Sequence, residues 1–336
     1  MVGIPINSAT RAAALVKKYA LGGILVRGLP TKASKSAIAR IVAAGGEIAP
    51  FIGVDEEGGR VQHLRAAVGV MPSARTMATT MTPEQVRAIV HRHAKGMRAL
   101  GFTVDFGPVL DLLGPPTNGI GDRAFSGDPN RAATYGLAFA QGLIDGGIFP
   151  VVKHFPGHGS ASGDSHQIGA RTLPVNEMRV RDMVAFAQVI ATAPVGVMMG
   201  HIDVPGLDGR PASISAAAVH GLLRGELKYK GLVVTDSLSM RPIRYHYPPP
   251  EAAVQALWAG NDVLLFDDEP GVAAIVNKLV KTAASDPDFA GRVVESVERI
   301  LLAKGLPACR VPEATTSTTS TTILLPGSAE SARMGP

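Results

Sequence analysis

The sequence predicts an α/β fold, and within it a single (β/α)8 TIM barrel. Three observations lead there. Short, unbroken apolar runs recur eight times, amphipathic stretches of helix length separate them, and the alternation fills roughly 300 residues, the size of one such barrel. A doubly wound open sheet is the alternative. Periodicity does not separate the two, and the count of eight favours the barrel.

The apolar runs are "MVGIPI" (1–6), "GGILVRG" (22–28), "IAPFIGVD" (48–55), "FTVDFGPVLD" (102–111), "FPVVKHF" (149–155), "VGVMMGH" (195–201), "GLVVTDS" (231–237) and "DVLLFDD" (262–268). Their Val and Ile content and short length indicate strands. Their lack of polar alternation indicates burial on both faces, as in a parallel sheet. The intervening helices are expected at 8–20, 82–100, 128–147, 176–192, 214–227, 250–260, 271–285 and 291–305. Thr82 as N-cap and Pro83 at the first helical position mark the start of the second. From Val311 the chain turns Thr/Ser-rich without a period, so residues 1–310 are expected to form the barrel domain and 311–336 a disordered tail.

Composition excludes several functions. The net charge of +5 is spread along the chain, with no dense Lys/Arg run interleaved with aromatics, which argues against nucleic acid as a partner. Cys309 is the single cysteine, so neither an internal disulfide nor a CxxC metal site can form. No apolar run approaches the ~20 residues that span a bilayer. No GxGxxG or GxxxxGK[ST] joins a strand to a helix. Met1 leads straight into a core-like strand with no signal peptide. The protein is expected to be exported or surface-anchored if a leader is missing, and cytoplasmic otherwise.

In a barrel of this kind, chemistry lies at the carboxyl ends of the strands. Asp55, Asp105 with Asp111, Lys153 with His154, His201, and Asp236 end five of the eight runs. The stretch "VVKHFPGHGSASGDSHQ" (151–167) leaves the fifth strand with three of the nine histidines. A metal reading would use His154, His158 and His166, but their spacing is not the HExxH pair that one helix face presents. A structural role for all three is the second reading. In the catalytic reading, Lys153 and His154 are fixed donors to substrate hydroxyls. Asp164 orients His166 as an acid/base, and Asp236 opposes it as nucleophile, the equipment of a retaining glycosidase.

The segments "VDEEGGRVQ" (54–62), "MPSARTMA" (71–78), "DFGPVLDL" (105–112), "GDRAFSGDP" (121–129), "KHFPGHGSASGDSH" (153–166), "GHIDVPGL" (200–207) and "VVTDSLSM" (233–240) make the chain resemble glycoside hydrolase family 3 of the bacterial β-N-acetylhexosaminidase type. The resemblance runs in order from the first strand to about residue 305. It implies a barrel without the second α/β sandwich domain of larger relatives. It also implies hydrolysis of terminal β-linked N-acetylglucosamine with retention, no metal or other cofactor, and a monomer acting on cell-wall fragments. By position, Asp236 matches the nucleophile, His166 the acid/base and Asp164 its dyad partner. Arg123, Lys153 and His154 match sugar-holding residues, and Asp55 the carboxylate at the sugar's far edge. His201 falls in a matching segment without a firm role.

One position departs from the pattern. Eight residues after Asp55 the family has Arg, where this chain has His63, with Arg65 nearby. A bidentate cationic contact is therefore lost or supplied by Arg65. Two alternatives to hydrolysis stay open. A neutral His base does not repel anions, so phosphate can compete with water and give a phosphorylase. The change at His63 leaves room for a sugar-binding protein with impaired turnover.

Overall fold

The structure is a computed structural model that describes residues 1–115, 119–162, 170–267 and 270–307. At its centre is a curled parallel sheet of seven strands in sequence order: Val2–Pro5, Gly23–Arg27, Phe51–Val54, Val104–Asp105, Phe149–Phe155, Gly196–Met199 and Val233–Thr235. Every neighbouring pair is parallel, so each connection must return the chain over the outer face. Successive side chains of a strand point to opposite faces. Leu25 accordingly packs inside the curl with Phe51, Val104 and Val234, while Ile24 and Val26 pack outward among the helices. Burial on both faces is the reason the strand runs carry no polar alternation.

The eighth run departs from its expected form. It makes no regular strand among the described residues, only isolated bridges, yet these reach both edges of the sheet. Val263 pairs with Val234 of the seventh strand, and Phe266 with Val2 of the first. The Gly3 N–H donates to Phe266 O at 2.7 Å and the Thr235 N–H to Val263 O at 2.9 Å. Between them the Leu265 N–H donates to the Thr235 hydroxyl at 3.0 Å, so a side chain stands where a ladder carbonyl would. The fourth strand is shorter than its run, because Pro108 has no N–H to donate. Pairing resumes at Val109, which bridges Lys153.

Most expected helices form. Pro83–Leu100 opens with a reciprocal cap, the Gln85 N–H donating to the Thr82 hydroxyl and the Thr82 N–H to Gln85 Oε1. Pro129–Asp145 is capped by Asp128, and Pro287–Ala303 begins earlier than expected because Asp286 caps it. The stretch expected at 176–192 is two helices, Val175–Val180 and Asp182–Thr192, broken at Arg181 by φ −129° and ψ −86°. The stretch at 214–227 is a π-helix over Ala217–Glu226. Lys35–Ala43 and Ala74–Thr80 are additional. Among the described residues no helix is long and apolar enough to cross a membrane.

Candidate active site

The carboxyl ends of the strands open onto a cleft of about 520 Å³. The chain after the third strand supplies its first wall. Asp55 and Glu57 line the cleft, while Glu56 between them is turned away, the alternation an extended chain imposes. Glu56 is fully buried. Its carboxylate meets His93 Nε2 at 2.8 Å and accepts the Leu64 N–H, while its own N–H donates to Asp105 Oδ1 at 2.9 Å. Asp105 therefore supports this turn. Burial and then the Glu56 charge push its carboxyl well above the usual range.

Glu57 joins two cations. Arg123 donates to it from Nε at 2.7 Å and from Nη2 at 2.8 Å, a bidentate fork, and Lys153 Nζ lies 2.6 Å from Oε1. Lys153 also donates to Asp55 Oδ1 at 2.7 Å. Burial alone would raise the Glu57 carboxyl, but Lys153 and Arg123 outweigh it and hold it far below the usual range. Burial likewise opposes the Lys153 charge, and Asp55 and Glu57 more than restore it. Glu57, Arg123 and Lys153 stay ionised together. Arg123 itself sits on the turn Gly121–Arg123, which Arg60 anchors through Asp122 Oδ1 at 2.7 Å and the Gly119 and Ile120 carbonyls.

At the fifth strand, His154 Nδ1 lies 2.6 Å from Asp111 Oδ2, and Asp111 Oδ1 accepts the His158 N–H at 2.6 Å. Burial would push Asp111 up; His154 and His158 reverse this and keep it ionised. A carboxylate only accepts, so Nδ1 of His154 carries a proton. Burial pushes the His158 imidazole down, with the Asp111 charge opposing. At the seventh strand, Asp236 is half-buried. Its N–H donates to Met199 O at 2.9 Å, and its Oδ1 accepts the Ser237 N–H at 2.7 Å.

The fold thus gathers Asp55, His63, Arg123, Lys153, His154 and Asp236 around one cleft. Two predicted residues stand elsewhere. Arg65 turns back on its own loop, donating to the Gln62 and Gly59 carbonyls at 3.3 Å each. His201 is buried behind the wall, with Nε2 2.7 Å from Ser237 O and Nδ1 2.7 Å from Ser213 Oγ. The carbonyl fixes its proton on Nε2, so His201 braces the backbone beside Asp236. Asp164 and His166 lie outside the described residues. Among the described residues, no three or more His, Cys, Asp or Glu side chains are grouped to hold a metal ion. The cleft also brings in Glu57, Arg27 and Asp267, none of which was expected there. The signal for Glu57 was present, since period-two alternation from Asp55 puts residue 57 on the same face.

The family model for the Glycosyl hydrolase family 3 N terminal domain matches residues 1–303. The chain belongs to glycoside hydrolase family 3. Over 318 residues it is 42% identical to the β-hexosaminidase LpqI of Mycobacterium tuberculosis, covering 91% of this chain and 81% of that protein. The solved structure of M. tuberculosis LpqI superposes with a TM-score of 0.85 at 41% identity, over 92% of this chain and 93% of the other. A family 3 β-N-acetylglucosaminidase from Paenibacillus sp. FPU-7 gives 0.87 at 30% identity, over 97% of this chain and 64% of the other. As a family 3 glycoside hydrolase, the enzyme acts on a carbohydrate. Its barrel-like sheet delivers the ionised cluster to the face where a sugar would enter.

Proposed function

We propose that this family 3 enzyme is a retaining exo-β-N-acetylglucosaminidase, removing terminal non-reducing β-linked N-acetylglucosamine from cell-wall peptidoglycan fragments. One observation carries the reading: the Asp236 carboxylate shares its cleft with Lys153, His154, Arg123 and Asp55, a nucleophile facing a set of fixed donors and acceptors. The names of its relatives point to the same class of sugar. The reading takes residues 1–310 as one (β/α)8 catalytic domain with 311–336 as its tail, working as a monomer without metal.

In this mechanism an Asp236 oxygen attacks the anomeric carbon as the bond to the leaving oxygen breaks. Protonated His166, supported by Asp164, gives that oxygen its proton. Water then attacks the anomeric carbon of the glycosyl-aspartate and passes a proton to neutral His166. The ester bond breaks, and Asp236 and N-acetylglucosamine are released.

The test is release of an aryl group from a β-N-acetylglucosaminide in phosphate-free buffer, with Asp236→Asn alongside. The wild type is expected to turn over, and the variant to lose about 10³-fold or more in kcat, as when a covalent nucleophile is removed. Proton NMR of the first product should show the β-anomer. Formation of a sugar 1-phosphate in phosphate buffer would replace hydrolysis with phosphorolysis. Absence of turnover in either buffer would replace it with sugar binding.

A further inference from the structure

The cleft cations differ in how fully the protein itself satisfies them. Glu57 and Asp55 hold Arg123 and Lys153, and Asp122 with two carbonyls holds Arg60, all at 3.0 Å or less. Arg27, at the end of the second strand, is different. Its ion-pair partner among the described residues is Asp267, with Nη1 3.5 Å from Oδ1, and its side chain is 53% exposed. That separation is at the limit of a hydrogen bond, and Asp267 Oδ1 is buried without a hydrogen-bond partner among the described residues. Both groups line the cleft that holds Asp236, and both keep unused hydrogen-bonding capacity.

The pair is built into the seam of the sheet. Asp267 follows Phe266, which bridges the first strand, and Arg27 ends the second, so the two reach toward each other across the first strand. Gly3 of that strand makes the approach possible. A Cβ there would overlap Asp267 Oδ1 and stand 3.2 Å from Arg27 Cδ. Beside them, His63 Nδ1 lies 3.0 Å from the Gly28 carbonyl, the residue after Arg27. The carbonyl accepts, so Nδ1 holds a proton that is committed to Gly28 and not to a ligand. Position 63 and Arg27 thus flank one wall, and Arg65 does not enter it.

We propose that Arg27 and Asp267 form the specificity-determining wall of the cleft, Arg27 donating to a sugar oxygen in place of the arginine that position 63 lacks. Asp267 sets the fork's angle and accepts from a neighbouring hydroxyl. The inference rests on the sugar-binding reading above, and it gives a role to two cleft-lining side chains that the motifs do not include. A contact to a sugar oxygen whose charge does not change in the reaction holds ground state and transition state alike, so its loss falls on KM.

The experiment compares Arg27→Met, Arg27→Lys, Asp267→Asn and the double variant Arg27→Met/His63→Arg on aryl β-N-acetylglucosaminide and β-N-acetylgalactosaminide. Arg27→Met is expected to raise KM for the glucosaminide about tenfold with kcat changed less than about threefold, and to alter the preference between the two sugars. Arg27→Lys should recover little, since it keeps the charge but loses the fork. Asp267→Asn should alter the same preference with a smaller rise in KM, and adding His63→Arg should restore KM to near the wild-type value. A KM within about twofold of wild type in Arg27→Met, at an unchanged melting temperature, overturns the proposal. So does a tenfold rise that His63→Arg leaves in place. Lack of wild-type turnover would defeat the hydrolase reading separately. In that case the pair is judged by calorimetry with N-acetylglucosamine, where equal affinity of wild type and Arg27→Met overturns it.

Discussion

Glu57 lies between Arg123 and Lys153 and is 3% exposed, so neutralising it strips buried Arg123 of its carboxylate fork and leaves Lys153 with Asp55 alone. Glu57→Gln keeps the shape and one acceptor but removes the charge. Breaking a buried ion pair from one side costs on the order of 3 kcal/mol. Urea unfolding should register that loss, and kcat/KM on the aryl glycoside should fall about tenfold or more as both donors lose their fixed positions. Unchanged stability together with unchanged kcat/KM would show that Asp55 alone holds Lys153. Asp55, Lys153, His154 and Asp236 were legible because each stands at the end of an apolar run, and Arg123 only through the family resemblance of its segment, residues 121–129. Arg27 and Asp267 also end such runs, but an ordinary Arg or Asp at a strand end carries no mark of its function. Only the meeting of the second strand with the closing segment, over Gly3, sets them apart.

Asp182, the first residue of helix Asp182–Thr192, lies under the segment leaving the fifth strand. Gly157, with φ of +133°, packs so closely on it that a Cβ would overlap the Asp182 side chain. The carboxylate makes no hydrogen bond of ordinary geometry among the described residues, and burial, opposed by Arg181, pushes its pKa up to about 6. A pKa raised on folding means the protonated form is favoured in the fold. Its contribution is complete below about pH 4, the unfolded value, and is lost as pH rises through about 6. Wild type should therefore lose stability relative to Asp182→Asn by on the order of 3 kcal/mol across that window and remain level above it. Urea midpoints of both proteins at several pH values measure this, and parallel curves would refute it. Other features of the elements were hidden from the sequence for physical reasons. Over ten residues a π-helix and an α-helix bury nearly the same positions, so Ala217–Glu226 reads as ordinary helix. Arg181 carries no breaker signal, because neither Gly nor Pro stands at the break. Lys35–Ala43 buries only Ile38 and Ile41, too thin a stripe to stand out.

Across the whole molecule, closure depends on the segment that is least regular. Bridges at Val263 and Phe266 join the two edges of the sheet, and Asp262 fastens the segment from the end opposite the cleft. Its Oδ2 accepts from Arg224 Nη2 at 2.8 Å and from the Val233 N–H at 2.9 Å. Its Oδ1 accepts from Arg292 Nη2 at 2.8 Å and from Arg299 Nη1 at 3.0 Å. One fully buried carboxylate thereby ties the π-helix, the seventh strand and the final helix to the closing segment. Asp262→Asn would leave three arginines without their shared anion, a loss of about 3–5 kcal/mol by analogy with other buried pairs. For a domain of this size that corresponds to a fall in melting temperature on the order of 10 °C. The cleft is built from the other ends of the strands, so kcat/KM well below the transition should stay within about twofold of wild type. Amide exchange should quicken first in helix Pro287–Ala303, whose Arg292 and Arg299 lose their anchor. If the melting temperature holds, the backbone bridges alone close the sheet. If activity falls with it at low temperature, the seam that carries Asp262 also sets the position of Asp267, five residues further along the same segment.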